Sequence, residues 1–286
     1  MPAMTIKLQD LSVSEREKIG PLLSLAPNDP LELEEMWQLM DQVWDNLGCD
    51  NQDLDSEKIA QYYQHPIWLL NGLFIESHDL SLQHRRAIAT WITDHQLQTI
   101  LDFGGGFGTL ARMIADKLPS ATIHIYEPYP SQSAVAFCQP YPNIHFASQL
   151  TPGYDCLIST DVLEHVPDPL SLFAEMISMV NLQGYLIIAN HFYPSIKCHL
   201  PCTFHFRYSF NQFAKLMGLR QIGLCVGSHA TIYQKIKDDP LDWPAIRKLE
   251  KQSQQRFPMR EWIARQLSPG KKFLRSLIPS SPEVKP

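Results

Sequence analysis

The sequence predicts an α/β fold, a mostly parallel sheet with helices on both faces, and three observations carry that prediction. From Gln98 onward short apolar runs alternate with helical ones: QTILDF, LARMIADKL, ATIHIYE, SAVAFCQ, NIHFAS, YDCLIST, LSLFAEMISMV and YLIIANHF. Alternation of this kind is the pattern of a parallel sheet, because each parallel neighbour is reached by a helical crossover. The first of these strands runs into a glycine-rich loop that opens the next helix. The last two apolar runs, RQIGLCVGS and ATIYQKI, are separated only by a short link around Ser228. So short a link cannot make a crossover, so it predicts an antiparallel hairpin at the sheet edge.

The segments before and after the sheet read as helical. Over residues 31–46, Leu33, Met36, Trp37, Met40, Val43 and Trp44 recur at three- and four-residue spacings, which makes one amphipathic helix. A second helical stretch over 56–76 carries Tyr62, Tyr63, Trp68, Leu69, Leu70 and Phe74 and is broken by Pro66; a third runs through 84–96. Residues 1–79 are therefore expected to form a helical N-terminal cap, 80–237 the main domain, and 238–286 a helical or loose extension. In that extension 10 Lys and Arg stand against 6 Asp and Glu. It is read as one or two solvated surface helices, around 244–256 and 259–267, with a loose tail from Pro279, rather than as a membrane-binding arm.

Composition narrows the function. Of 286 residues 44% are hydrophobic and 19% charged, the balance of a folded chain with a full core. The formal net charge is −6, so no overall positive field attracts a phosphate backbone, and nucleic acid is not an expected partner. The start, MPAMTIKLQDLSVSE, lacks the apolar run of a secretory leader, and no stretch reaches membrane-spanning length. A cytoplasmic protein with no integral membrane segment is expected. There the six cysteines, Cys49, Cys138, Cys156, Cys198, Cys202 and Cys225, should remain reduced. The oligomeric state is not legible in the sequence.

The strongest functional signal is LDFGGGFGT at 101–109. Gly104, Gly106 and Gly108 form a G-x-G-x-G pattern just after Asp102. Glycines there permit unusual backbone angles and let a ligand lie against the main chain, while the following helix offers free amides. A dinucleotide site would instead want G-x-G-x-x-G under a pyrophosphate, and counted from Gly104 its last glycine falls on Thr109. A cofactor without a pyrophosphate is favoured. Glu127, at the end of the next predicted strand, can accept hydrogen bonds from both hydroxyls of a ribose.

Residues 100–236 resemble the class I S-adenosylmethionine-dependent methyltransferases, especially the small-molecule branch that carries D-V-L-E-H-V after its fourth strand, here Asp161 to Val166. The resemblance implies a Rossmann-like, seven-stranded, mostly parallel sheet with an antiparallel edge hairpin, a helical N-terminal cap and C-terminal helices. It implies S-adenosylmethionine as methyl donor and a small-molecule acceptor. By the same resemblance Asp102 would orient the methionine amine, Gly104, Gly106 and Gly108 would let the cofactor approach, and Glu127 would hold the ribose. Tyr126 and Pro128 would flank the adenine, and Thr160 and Asp161 would face the methionine side and the acceptor. Where relatives place an Asp after the third strand to meet the adenine amine, this chain offers Ser148 and Gln149. The turn before the fifth strand is altered too, to Asn181, Gln183 and a single Gly184.

A sulfonium methyl is already activated, so the main task is to align an acceptor lone pair with it. For a hydroxyl acceptor a base would help, and His165, then His191 and His205, are the candidates. In the resemblance His205, Arg207, Tyr208 and Ser209 border the acceptor pocket, and aromatic residues of the cap, Tyr62, Tyr63, Trp68 and Phe74, form either a lid or simply core. The loop HFYPSIKCHLPCTFHF gathers His191, Cys198, His199, Cys202 and His205, but no second cysteine pair completes a zinc site, so no metal is expected. The competing reading is a non-catalytic scaffold that keeps the fold; the intact Asp102, glycine and Glu127 set argues against it.

Overall fold

The computed structural model describes residues 6–26, 28 and 30–276. Among the described residues five α-helices precede the first strand: α1 (Val13–Leu23), α2 (Leu33–Asn46), α3 (Ser56–Gln64), α4 (Ile67–Ser77) and α5 (Asp79–Asp94). Their ends follow from local chemistry. Ser12 and Glu15 make a reciprocal capping box on α1, and Asp55 accepts from the amides of Glu57 and Lys58 at the start of α3. Pro66 separates α3 from α4, and the third predicted helix begins earlier than its apolar pattern, at Asp79.

The sheet then alternates with helices as β1 (Thr99–Phe103), α6 (Thr109–Lys117), β2 (Thr122–Tyr126), α7 (Gln132–Cys138), β3 (Ile144–Phe146), β4 (Tyr154–Thr160), α8 (Pro169–Met179) and β5 (Val180–Ala189). After them come α9 (Phe210–Leu216), β6 (Leu219–Leu224), β7 (Thr231–Lys235) and α10 (Trp243–Ser276). The spatial order is β3-β2-β1-β4-β5-β7-β6. β1 to β5 pair in parallel, and β7 lies antiparallel between β5 and β6. Central strands are buried on both faces, as their unbroken apolar runs require: Ile100, Leu101, Cys156, Leu157, Ile158, Leu186 and Ile187 are wholly inaccessible.

One sheet face packs on α5 and α6, the other on α8, α9 and the start of α10, and the cap has its own core of Met36, Met40, Trp44, Tyr62, Ile67 and Leu70. A buried ion pair joins cap to sheet: Glu76 of α4 accepts from Arg112 Nη2 and from Thr109 Oγ1, both on α6. The altered turn before the fifth strand becomes an irregularity inside β5, where Gln183 has φ +69° and the register with β4 shifts between Tyr154 and Cys156. A Cβ on Gly184 would meet the Asn181 and Asp155 carbonyl oxygens at 2.9 Å, which is why a glycine stands there.

The C-terminal segment takes the first of the two expected forms, one helix rather than two. The stretches 244–256 and 259–267 run together in α10, with Pro258 inside it. An interior proline loses a backbone hydrogen bond and costs about 3 kcal/mol. Anchors on both sides hold the helix through it: Arg247 forks onto Asp168, Ser253 meets His205 and Ser209, and Glu261 accepts from Arg207 and Tyr208. The tail from Pro279 lies outside the described residues. No helix among the described residues is long and apolar enough to cross a membrane.

Candidate active site

The strand order reverses between β1 and β4, and ligands of open α/β sheets lie in the crevice outside the strand ends at such a point. A cavity of about 1560 Å³ opens there. One wall comes from β1, β2 and the glycine loop. Asp102 is 2% exposed, and its Oδ2 has no hydrogen-bond partner. Burial pushes its carboxyl up to about 7, with the Arg85 guanidinium opposing and the Glu127 carboxylate adding to the rise. A buried, unpaired carboxylate on a cavity wall is a socket for a cation, because leaving it unmet is costly.

Gly104 and Gly106 line this wall at φ +73° and +52°, the left-handed region that glycine enters without strain. The loop turns back so that the Gly106 amide donates to Glu127 Oε2 at 3.0 Å, and the Tyr129 amide donates to Oε1 at 3.4 Å. These amides fix the carboxylate and leave further lone pairs for a ligand. Tyr126 and Pro128 line the same wall.

Two glycines change roles relative to the sequence pattern. Gly108 does not line the cavity; it caps α6, and a Cβ there would lie 2.6 Å from Cys138 Sγ. Gly105, which the pattern passed over, does line it, and its Cβ would lie 2.8 Å from Asp102 Oδ2 and 2.9 Å from Ile125 Cγ2. We therefore expect Gly105→Ala to lose about 1–3 kcal/mol of stability through overpacking, read as a lower urea midpoint with unchanged slope. An unshifted midpoint would show that this wall has slack.

The opposite wall starts at the end of β4. Thr160 lines the cavity, and Asp161 follows at φ +55°, a left-handed angle that Asp tolerates better than most residues. Asp161 Oδ1 lies 3.7 Å from His229 Nε2. Desolvation in the crevice works to raise the Asp161 carboxyl, although its side chain is half exposed, and His229, Arg85 and His165 together hold the group below its ordinary value. In the next turn Glu164 is fully buried: its Oε1 accepts from the His191 amide at 2.6 Å, and its Oε2 has no partner. Burial, with Asp161 nearby, pushes that carboxyl up to about 8.

His165 lines the cavity, with its Nδ1 3.1 Å from the Cys198 carbonyl. Burial and the neighbouring His199 push it down to about 3, so the ring is neutral at pH 7. His191 also lines the cavity, its Nε2 2.7 Å from Ser195 Oγ. Tyr63 and Trp68 stand edge-on to His165, with ring centroids 6.2 and 6.0 Å away, and Phe74 lines the cavity near them. Tyr62 does not; it is wholly buried in the cap core.

Two further candidates fall outside the cavity. His205 is 3% exposed and is held by Ser253 Oγ at 2.9 Å, so the segment His205–Ser209 docks α10 rather than bordering an acceptor. Ser148 lies beyond the short edge strand β3 and does not reach the cavity, which Leu150 lines instead. Conversely, Arg85 and His84 of α5 and His229 of the β6–β7 link line it although nothing in the sequence marks them for a site, and so does His199, which the sequence marks only as a member of the discounted zinc cluster. Nothing local could have paired His84 with His229: their Nδ1 atoms are 3.0 Å apart and 145 residues separate them in the chain.

An open α/β sheet with a side-chain-free loop, an unpaired buried carboxylate and a second carboxylate at the neighbouring strand end defines a protein that seats a nucleoside cofactor at its switch point. Residues 76–233 match the family described as methyltransferase domain, more than half of the chain, and the chain belongs to that family. It carries a methyltransferase domain built around that crevice. Among solved structures it is similar to the mitomycin 7-O-methyltransferase MmcR, at 14% identity over 71% of this chain and 68% of that one, with a TM-score of 0.45. An O-methyltransferase family protein from Burkholderia thailandensis matches at 13% identity over 72% and 71%, with a TM-score of 0.47. Human N-acetylserotonin methyltransferase, solved in complex with SAM, matches at 12% identity over 82% and 73%, with a TM-score of 0.47. No curated protein matches the sequence.

Proposed function

We propose that the chain methylates a hydroxyl oxygen of a small-molecule acceptor with S-adenosylmethionine as methyl donor and belongs to the branch carrying D-V-L-E-H-V, with residues 1–79 as cap, 80–237 as catalytic domain and 238–286 as a C-terminal extension. The observation that carries this reading is one cavity whose two walls have different chemistry. The carboxylates and glycines of β1 and β2 form one wall, and the imidazoles and Asp161 after β4 form the other. At about 1560 Å³ it exceeds the roughly 300–1,000 Å³ of a single small-ligand site, so cofactor and acceptor fit side by side.

The residues suit the cofactor on their own terms. Asp102 Oδ2 is an unmet buried acceptor for an ammonium, Gly104 to Gly106 present bare backbone, and Glu127 is held ready for two hydroxyls. When bound, S-adenosylmethionine supplies a methyl group already activated on sulfur. Arg85, close to Asp102 and Asp161, balances their charge and offers a donor to a carboxylate. Thr160 and Asp161 face the acceptor side. The carbonyl of Cys198 accepts from Nδ1–H of His165, so Nε2 keeps its lone pair for the acceptor side of the cavity. His191 receives the proton as the oxygen–methyl bond forms and the methyl–sulfur bond breaks. Tyr63, Trp68 and Phe74 exclude water over the site.

The test is incubation with S-adenosylmethionine labelled in its methyl group and a panel of phenols, sugars and other hydroxylated small molecules. Label recovered as a methyl ether is expected. Label found only on nitrogen or carbon would overturn the hydroxyl assignment, and none on any acceptor despite cofactor binding would favour a scaffold.

A further inference from the structure

Glu164, His165 and His199 bring one ligand atom each to within 4.8 Å of one another at the acceptor side of the cavity. We propose that these three residues bind a divalent transition-metal ion, of the zinc or manganese kind, and that an open coordination position on it takes the acceptor hydroxyl.

Three features of the side chains point the same way. The Cys198 carbonyl fixes Nδ1 of His165 as the donor, and the Tyr193 carbonyl, 2.7 Å from Nδ1 of His199, does the same there. Both rings therefore keep their lone pair on Nε2. A backbone carbonyl on the far nitrogen is the usual way a metal-binding imidazole is oriented. The third donor, Glu164, is wholly buried; one oxygen is anchored by the His191 amide, while Oε2 has no partner.

A carboxylate, two imidazoles and open positions suit mid-series divalent ions rather than calcium or magnesium, which want oxygen donors. Ligands at about 2.0–2.2 Å from one ion lie roughly 3–3.5 Å apart, so the three side chains need draw together by at most about 1–2 Å. His165 and His199 both line the cavity, and their ring centroids are 4.8 Å apart. The cysteine-based zinc pattern sought in the sequence is not what the fold assembles: Cys198 is buried against Tyr62, and Cys202 is exposed.

The ion's role, though not its binding, rests on the hydroxyl-acceptor reading. Bound to the ion, the hydroxyl is acidified; its proton passes to His191, the oxygen forms its bond to the methyl carbon, and the methyl–sulfur bond breaks.

The experiment is equilibrium dialysis of untagged, chelator-stripped protein against ZnCl2 and, separately, MnCl2, with elemental analysis of the bound ion and a parallel titration with S-adenosylhomocysteine. The expected result is one equivalent of ion per chain, with affinity at least 10-fold lower in both Glu164→Gln and His199→Gln while S-adenosylhomocysteine affinity is kept. The first substitution retains an acceptor for the His191 amide, and the nucleoside titration reports that each variant is folded. Less than one equivalent in the natural sequence, or equal affinity in both folded variants, would overturn the proposal. Metal bound without any hydroxyl methylation would leave the site standing and remove its stated role.

Discussion

Asp102→Asn is expected to bind S-adenosylmethionine about 10- to 100-fold more weakly than the natural sequence and yet to unfold at no lower temperature at neutral pH. The affinity loss follows from removing a charged partner of the cofactor ammonium inside a buried site, about 1.5–3 kcal/mol. The stability half follows from linkage. Asp102 has its carboxyl raised to about 7, first by burial, with Arg85 opposing and Glu127 adding. A raised carboxyl pKa means that the folded state holds the proton more tightly than the unfolded state does. Its ionisation therefore takes stability away as pH climbs from the ordinary carboxylate range through 7, by a few kcal/mol at the upper end. Asparagine, which cannot ionise, escapes that loss.

The same linkage predicts proton release. Binding the cationic cofactor lowers the Asp102 pKa, so near pH 6 close to one proton should leave on binding, and near pH 8 almost none. Calorimetry in two buffers of different ionisation enthalpy reads this directly. A binding enthalpy that is independent of buffer at pH 6, or unchanged affinity in the variant, would remove Asp102 from the cofactor site.

Glu76→Ala is expected to cost about 3–5 kcal/mol of unfolding free energy, the loss usual when one member of a buried ion pair is removed. Glu76 and Arg112 side chains are each 3% exposed, and Glu76 also accepts from Thr109 Oγ1 and, at 3.4 Å, from the Ile6 amide. The variant removes the Glu76 carboxylate from beside Arg112 at the junction of cap and sheet. Because Thr109 and Arg112 sit in the first turns of α6, directly after the glycine loop, cofactor affinity should fall with stability. Asp45→Ala is the contrast: its pair with Lys197 is 45–57% exposed and should be worth at most about 1 kcal/mol. Urea denaturation of both variants checks the pair, and equal losses would mean that the buried bridge does not tie cap to domain.

Much of this protein was legible in the sequence because the relevant signals are local. Period-two and period-3.6 patterns specify strand and helix over five to fifteen residues, and their alternation specifies a parallel sheet. Asp102, the glycine loop and Glu127 could be read because each sits at a strand end, where the topology itself puts the crevice. Thr160 and Asp161 follow by the same logic from β4.

Convergences between distant segments, and choices between equivalent local patterns, came from packing in three dimensions. Arg85 and His229 reach the cavity from a helix and a hairpin link that carry no motif. Glu76 looks like an ordinary acid at the end of an apolar helix until α6 brings Arg112 against it. His165 and His205 have similar settings in the sequence, polar residues among apolar ones. Yet one faces the cavity and the other is drawn under α10 by Ser253, 48 residues further on. In G-G-G-F-G the spacing alone marks Gly104, Gly106 and Gly108, but steric room around the Asp102 carboxylate gives Gly105 the cavity and leaves Gly108 to packing. The elements, their order and the strand-end carboxylates could be read along the chain, since these depend on neighbouring residues. Which imidazoles, cations and glycines share the cavity depended on three-dimensional packing, which no spacing along the chain encodes.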